Sequence, residues 1–157
     1  MKLRHLLPAL IVLAAACANA AGSTPLLFPG LEQAELEAMT KSGTHRFKVW
    51  IAADDRSREQ GLMRVREFPP DRGMLFLFDR PQLVAFWMKD TYLSLDLVFI
   101  SPDGRVLNIA SHARPLSLDP IESDGPALAV LEVLAGKAEA IGLQPGDRII
   151  YTAAQRN

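Results

Sequence analysis

The chain has 157 residues, 49% of them apolar and 22% charged, with a formal net charge of −1. This length fits one domain with enough interior for a proper core. The slightly acidic balance has no basic stripe, which excludes nucleic acid as a main partner.

The first twenty residues read as a secretory signal peptide. Lys2 and Arg4 precede an apolar run from Leu6 to Ala16, and small residues follow at Ala18-Asn19-Ala20. The run falls short of the roughly 20 apolar residues that cross a bilayer. Cleavage after Ala20 would remove Cys17, the only cysteine, and with it any disulfide, thiol nucleophile or cysteine-based metal site. Lipidation at Cys17, in a poor version of the bacterial lipoprotein signal, is the alternative, and only then is a membrane a partner. The expected location is periplasmic or secreted. Without residues 1–20 the chain keeps 15 Lys+Arg (17 less Lys2 and Arg4) against 18 Asp+Glu, about −3.

Residues 21–33 are rich in Gly, Ser and Pro and read as a linker, ahead of a single β-rich domain over 34–154. Glu35–Thr40 reads as a strand leading through Lys41-Ser-Gly43 into the next, although its Glu and Ala content leaves a helix open. From Thr44 the period is two: His45, Phe47, Val49, Ile51 and Ala53 alternate with Arg46, Lys48 and Trp50, predicting a half-buried strand with Trp50 outward. Asp54 caps a short helix over Asp55–Leu62, with Gly61 near its end. Arg66–Arg72 is a proline-broken loop. Met74–Phe78 and Val84–Met88 are predicted strands joined by a turn at Asp79-Arg80-Pro81-Gln82.

Leu93–Ile100 and Arg105–Ala110 form a hairpin across Ser101-Pro-Asp-Gly104. A proline-containing loop spans Ala113–Pro126. A strand over Ala127–Leu134, a short helix over Gly136–Ile141 and a last strand over Arg148–Thr152 complete the chain. Many short strands with few helices predict a mainly β fold, a β-sandwich or jelly-roll-like barrel with two short helices.

Charges set against the apolar runs mark the candidate site. Asp96 shares a strand face with Val98 and Ile100, and Glu132 shares one with Leu128, Val130 and Leu134. Lys89 and Asp90 close the run Phe86-Trp-Met88. An isolated buried charge is costly, so these groups must be paired or must meet a ligand. Convergence of Asp96 and Glu132 would split their pKa values and permit acid–base work, with Lys89 stabilising negative charge. The competing reading is structural: an ion pair such as Lys89 with Glu132, or carboxylates accepting backbone N–H bonds.

Arg58 either braces the helix start through Asp54 or reaches into a pocket. Met63, Met74, Met88 and Trp87 with a histidine imitate a soft copper site, but methionine in apolar strands is core filler. His45 and His112 lack zinc-ligand spacing, and no G-x-S-x-G is present. No metal and no cofactor are expected.

The ordered blocks Arg58-Glu-Gln-Gly-Leu-Met63, Gly73-Met-Leu-Phe-Leu-Phe78, Phe86-Trp-Met-Lys-Asp-Thr91, Leu95-Asp-Leu-Val-Phe-Ile100, Asp103-Gly104, Val130-Leu-Glu-Val-Leu-Ala-Gly136 and Gly142-Leu-Gln-Pro-Gly-Asp147 resemble the bacterial and archaeal family known as domain of unknown function 192. The resemblance runs from about Arg46 to Thr152 and implies a compact all-β fold with small helices. It highlights Arg58, Gly61, Met63, Gly73, Trp87, Lys89, Thr91, Asp96, Glu132, Gly136, Gly146 and Asp147. The family pattern has Asn at the position of Asp90, Pro at that of Ser94 and often Arg at that of Val65. It carries no activity.

The expected function is therefore an exported binding or accessory module for a small polar ligand, a glycan or an envelope protein. Trp87, Lys89, Asp90, Thr91, Asp96, Glu132 and Arg58 would carry the contacts. The alternatives are a hydrolase or lyase using Asp96 and Glu132 as its acid–base pair, or a structural or assembly protein.

Overall fold

The computed structural model describes residues 27–152. The stretch read as a signal peptide, with Cys17, lies outside the described residues. Within them the chain runs β1 (Gln33–Thr40), β2 (Gly43–Ala52), α1 (Asp55–Gln60), β3 (Arg72–Gln82), β4 (Ala85–Phe86), β5 (Leu95–Ile100), β6 (Val106–Ala113), β7 (Ile121–Glu122), β8 (Ala127–Leu134), α2 (Lys137–Ala140) and β9 (Arg148–Tyr151). The fold is mainly β with two short helices, as the strand spacing predicts.

Seven strands form one sheet in the order β6-β5-β8-β3-β2-β1-β9, while β4 and β7 pair separately. Every neighbour in the large sheet is antiparallel except β2 and β3. Parallel strands need a crossover, and α1 supplies it. The Asp54 side chain accepts the Ser57 N–H at 2.9 Å while the Ser57 hydroxyl accepts the Asp54 N–H at 3.2 Å, a closed capping box. Gly61, at φ 46°, ends the helix.

The sheet curls until its outer strands touch. Arg105 bridges Arg148, and Ile149 N–H donates to Gly104 C=O at 2.8 Å. Val106 N–H reaches Asp147 C=O at 2.9 Å. Joining the two edges removes part of the open strand edge that would otherwise invite pairing with another chain.

This curl makes two cores, one on each side of the central strands. Inside lie Leu36, Val49, Leu75, Val98, Ile100, Leu131, Val133 and Ile149. Outside, Trp50, Met74, Phe76, Leu97, Phe99 and Val130 are covered by Phe28, Leu62, Phe68, Val84 and Met88 from the connecting segments. With both faces covered, β5 is buried at every position.

The second core explains where alternation misleads. Trp50, expected to face outward, is 3% exposed because Phe28 and Phe68 pack against its ring at 5.2 and 5.6 Å. Phe28 belongs to the stretch read as a linker, so that stretch docks on the domain from this residue onward. The turn expected at Asp79–Gln82 is instead the exposed end of β3, which resumes pairing at Gln82 with Ala127 after a register shift. Of the strand expected over Val84–Met88, only Ala85–Phe86 pairs, with Ile121–Glu122.

Candidate functional site

The register between β5 and β8 decides the fate of the two acids. Leu97 lies opposite Glu132, and Asp96 lies opposite Val133. Cross-strand partners share a face and successive residues alternate, so Asp96 and Glu132 project from opposite faces of the sheet. The expected convergence of the two carboxyls does not occur. A one-residue offset in pairing is enough to separate them.

Asp96 points into the curled interior and is fully buried. One carboxylate oxygen accepts the His112 N–H at 2.9 Å and the other accepts the Ala138 N–H at 3.0 Å. Pairing of β6 with β5 slips between Leu95 and Leu97, and His112 in that slip has φ 53°. Asp96 therefore caps a β-bulge and the first turn of α2 together. Its role is structural, the reading in which a carboxylate accepts backbone N–H bonds.

Glu132 lies on the outer face, between Met74 of β3 and Leu97 of β5. It is 5% exposed, its carboxyl oxygens are reached from the cavity, and no hydrogen bond or ion pair engages them among the described residues. Burial alone pushes its pKa up to about 8 from the ordinary 4.5. At neutral pH the group is mainly the carboxylic acid, able to donate one hydrogen bond and to accept others.

Glu132 opens onto a half-open cavity of about 400 Å³. Phe76, Phe78, Phe86 and Leu62 wall it, and Thr91 lies alongside. Leu83 and Trp87, 74% and 50% exposed, stand at its rim. Gly61 also borders it; a Cβ there would come within 3.2 Å of the Phe76 ring. Arg58, Gly61, Met63, Trp87, Thr91 and Glu132, which all lie in the blocks carrying the family resemblance, line this one cavity.

The other expected site residues divide. Arg58 borders the cavity, but one guanidinium nitrogen donates to Ala53 and Leu77 carbonyls, both at 2.8 Å, and the other to Asp55 at 2.6 Å. It braces α1 against β3, through Asp55 and not the expected Asp54. Lys89 is exposed, with its ammonium 5.1 Å from the Trp87 ring centroid, and makes no ion pair with Glu132. Asp90 sits in a turn at φ 53° and its carboxylate is 3.9 Å from Arg64. The Asn of the family pattern suits the same left-handed backbone. Thr91 is buried, its hydroxyl donating to the Lys89 carbonyl at 3.1 Å.

Sequence reasoning missed Phe76 and Phe86, which lie in predicted strands and read as ordinary core, and Leu83, which lies between the expected turn and the next strand. Only the pairing of β3 with β8 and the fold-back of residues 82–91 bring them around Glu132. Among the described residues no three His, Cys, Asp or Glu side chains gather as a metal site, and no helix is long and apolar enough to cross a membrane.

Several solved structures resemble the chain, two of them as follows. A Sinorhizobium meliloti protein described as a candidate transcription regulator is 43% identical, with a TM-score of 0.75 over 77% of this chain and 95% of its own. A Novosphingobium aromaticivorans protein of unknown function is 36% identical, with a TM-score of 0.77 over 81% of this chain and 89% of its own. Comparison with curated proteins gives no match. The family model for domain of unknown function 192, described as Uncharacterized ACR, matches residues 37–151, and the chain belongs to that family.

Proposed function

We propose that this protein is an exported accessory module that binds a small ligand in the cavity above Glu132, the ligand being apolar along most of its body and polar at one end. One observation carries the reading: a buried carboxyl without a partner opens onto a cavity of about 400 Å³ walled by phenylalanines. A group left in that state lowers stability, so a ligand that completes its hydrogen bonding has energy to gain. Trp87, half-exposed at the rim, offers a flat apolar surface on which a ring can stack. The N-terminal sequence supports a periplasmic or secreted location.

Catalysis by Asp96 and Glu132 is not favoured, because two groups on opposite faces of a sheet share no substrate. The description of the Sinorhizobium protein as a candidate regulator is not carried over, since the chain without residues 1–20 is slightly acidic, at about −3.

The test is a thermal-shift screen of the chain from residue 21 against glycan fragments and small molecules extracted from bacterial envelopes. A ligand at a hundredfold excess over its Kd stabilises by about 3 kcal/mol, a rise of several degrees in Tm. The same ligand should give a smaller shift with Trp87→Ala, whose unliganded Tm should change little. Absence of any shift, together with no small molecule retained in native mass spectrometry, refutes the reading.

A further inference from the structure

We infer that the cavity takes an organic cation, a primary ammonium group on an apolar stem, with its nitrogen on Glu132 and its stem along Phe76 and Phe86. This rests on the binding reading above and names its ligand class. The charged groups lining the cavity are Asp55, Arg58 and Glu59 on α1 and Glu132 on β8. The lining residues of β3 and of segment 82–91 carry no charge, and Glu132's strand partners Met74 and Leu97 are apolar.

Arg58 is already committed to Asp55 and two carbonyls. Glu132 therefore remains as the buried acid of the cavity, with Glu59 exposed at its border. The ammonium of Lys89 lies over the Trp87 ring, and Lys89 is not among the lining residues. An anionic ligand would meet the Glu132 acid, and the one cation in the lining, Arg58, has three of its five N–H groups already engaged. A cation would meet a carboxyl together with the rings of Phe76 and Phe86, since Arg58 already lies 5.6 Å over Phe78 and Lys89 lies over Trp87.

The protons balance in a way that can be measured. Before a ligand binds, Glu132 holds its proton up to about pH 8. An arriving ammonium favours the carboxylate, so the Glu132 proton passes to water, and the complex holds one ammonium and one carboxylate. Binding at pH 7 then releases close to one proton per ligand, and none at pH 9. Affinity rises about tenfold per pH unit below the raised pKa and levels off above it.

The probes are hexylamine, hexan-1-ol, hexanoate and Nα-acetyl-lysinamide, titrated calorimetrically in two buffers of different ionisation enthalpy, with Trp87 emission followed in parallel. Hexylamine should bind at least tenfold more tightly than hexan-1-ol, with proton release, and hexanoate should bind weakest. Glu132→Gln, checked for folding by near-ultraviolet circular dichroism, should lose the proton release and most of the preference for the amine while still binding hexan-1-ol. The lysinamide arm separates a free amine from a lysine side chain: tighter binding of either supports the cation class and names its source. Equal binding of amine and alcohol without proton release overturns the cation inference and leaves the binding reading intact. No response to hexylamine overturns it as well, and the envelope screen then decides the binding reading alone.

Discussion

Replacing Glu132 by Gln removes the ionisable group from the cavity while nearly preserving its size, which makes the cost of burying it measurable. In the unfolded chain this carboxyl ionises near its ordinary value of 4.5; in the folded protein it keeps its proton until about pH 8. Between those values the folded state holds a proton that the unfolded state has released. Stability therefore falls as pH rises through that window. Each unit is worth about 1.4 kcal/mol, so by pH 7 the wild type has lost about 3 kcal/mol that the Gln variant keeps, and above pH 8 the gap approaches 5 kcal/mol. At pH 4 the two proteins should agree within about 1 kcal/mol, because both side chains are then neutral and of similar polarity.

Urea unfolding at pH 4, 5.5, 7 and 8.5, followed by tryptophan emission, gives the difference directly. All other titrating groups are common to both proteins and cancel. A difference that stays constant across pH refutes the reasoning, because the Glu132 carboxyl would then titrate alike in the folded and unfolded states.

Asp96→Ala should lower stability by about 2–4 kcal/mol, since it strands the buried Ala138 N–H and leaves the part-buried His112 N–H without its acceptor. Asp96→Asn, which keeps one acceptor, should lose roughly half as much; a loss under about 1 kcal/mol for the alanine variant in urea unfolding would contradict the structural role given to Asp96. At Gly73→Ala the new Cβ would lie 2.9 Å from Leu131 Cδ1 and 3.0 Å from the Glu132 carbonyl oxygen. Strands β3 and β8 would have to separate, for a loss of about 1–3 kcal/mol by chemical denaturation, and an unchanged midpoint would show that the close approach is not needed.

Much of the architecture was legible because it is local. The alternation of Phe47, Val49 and Ile51, the capping residue Asp54, the glycine at 61 and the Ser101–Gly104 turn each act over a few residues and specify their element regardless of what lies far away. Asp96 and Glu132 stood out for the same reason, as acids inside apolar strands. Trp50 misled because alternation names two faces without saying whether the second is covered, and its cover comes from Phe28 and Phe68.

By itself the sequence determined a β-rich domain, some of its turns, such as Ser101–Gly104, and two acids that had to be accounted for. These follow from short-range sterics and the period of two along a strand. The tertiary structure alone decided that one acid would fasten a bulge and the other would face a cavity. That outcome depends on which residues lie opposite each other across β5 and β8, and a shift of one position would have placed both acids on one face.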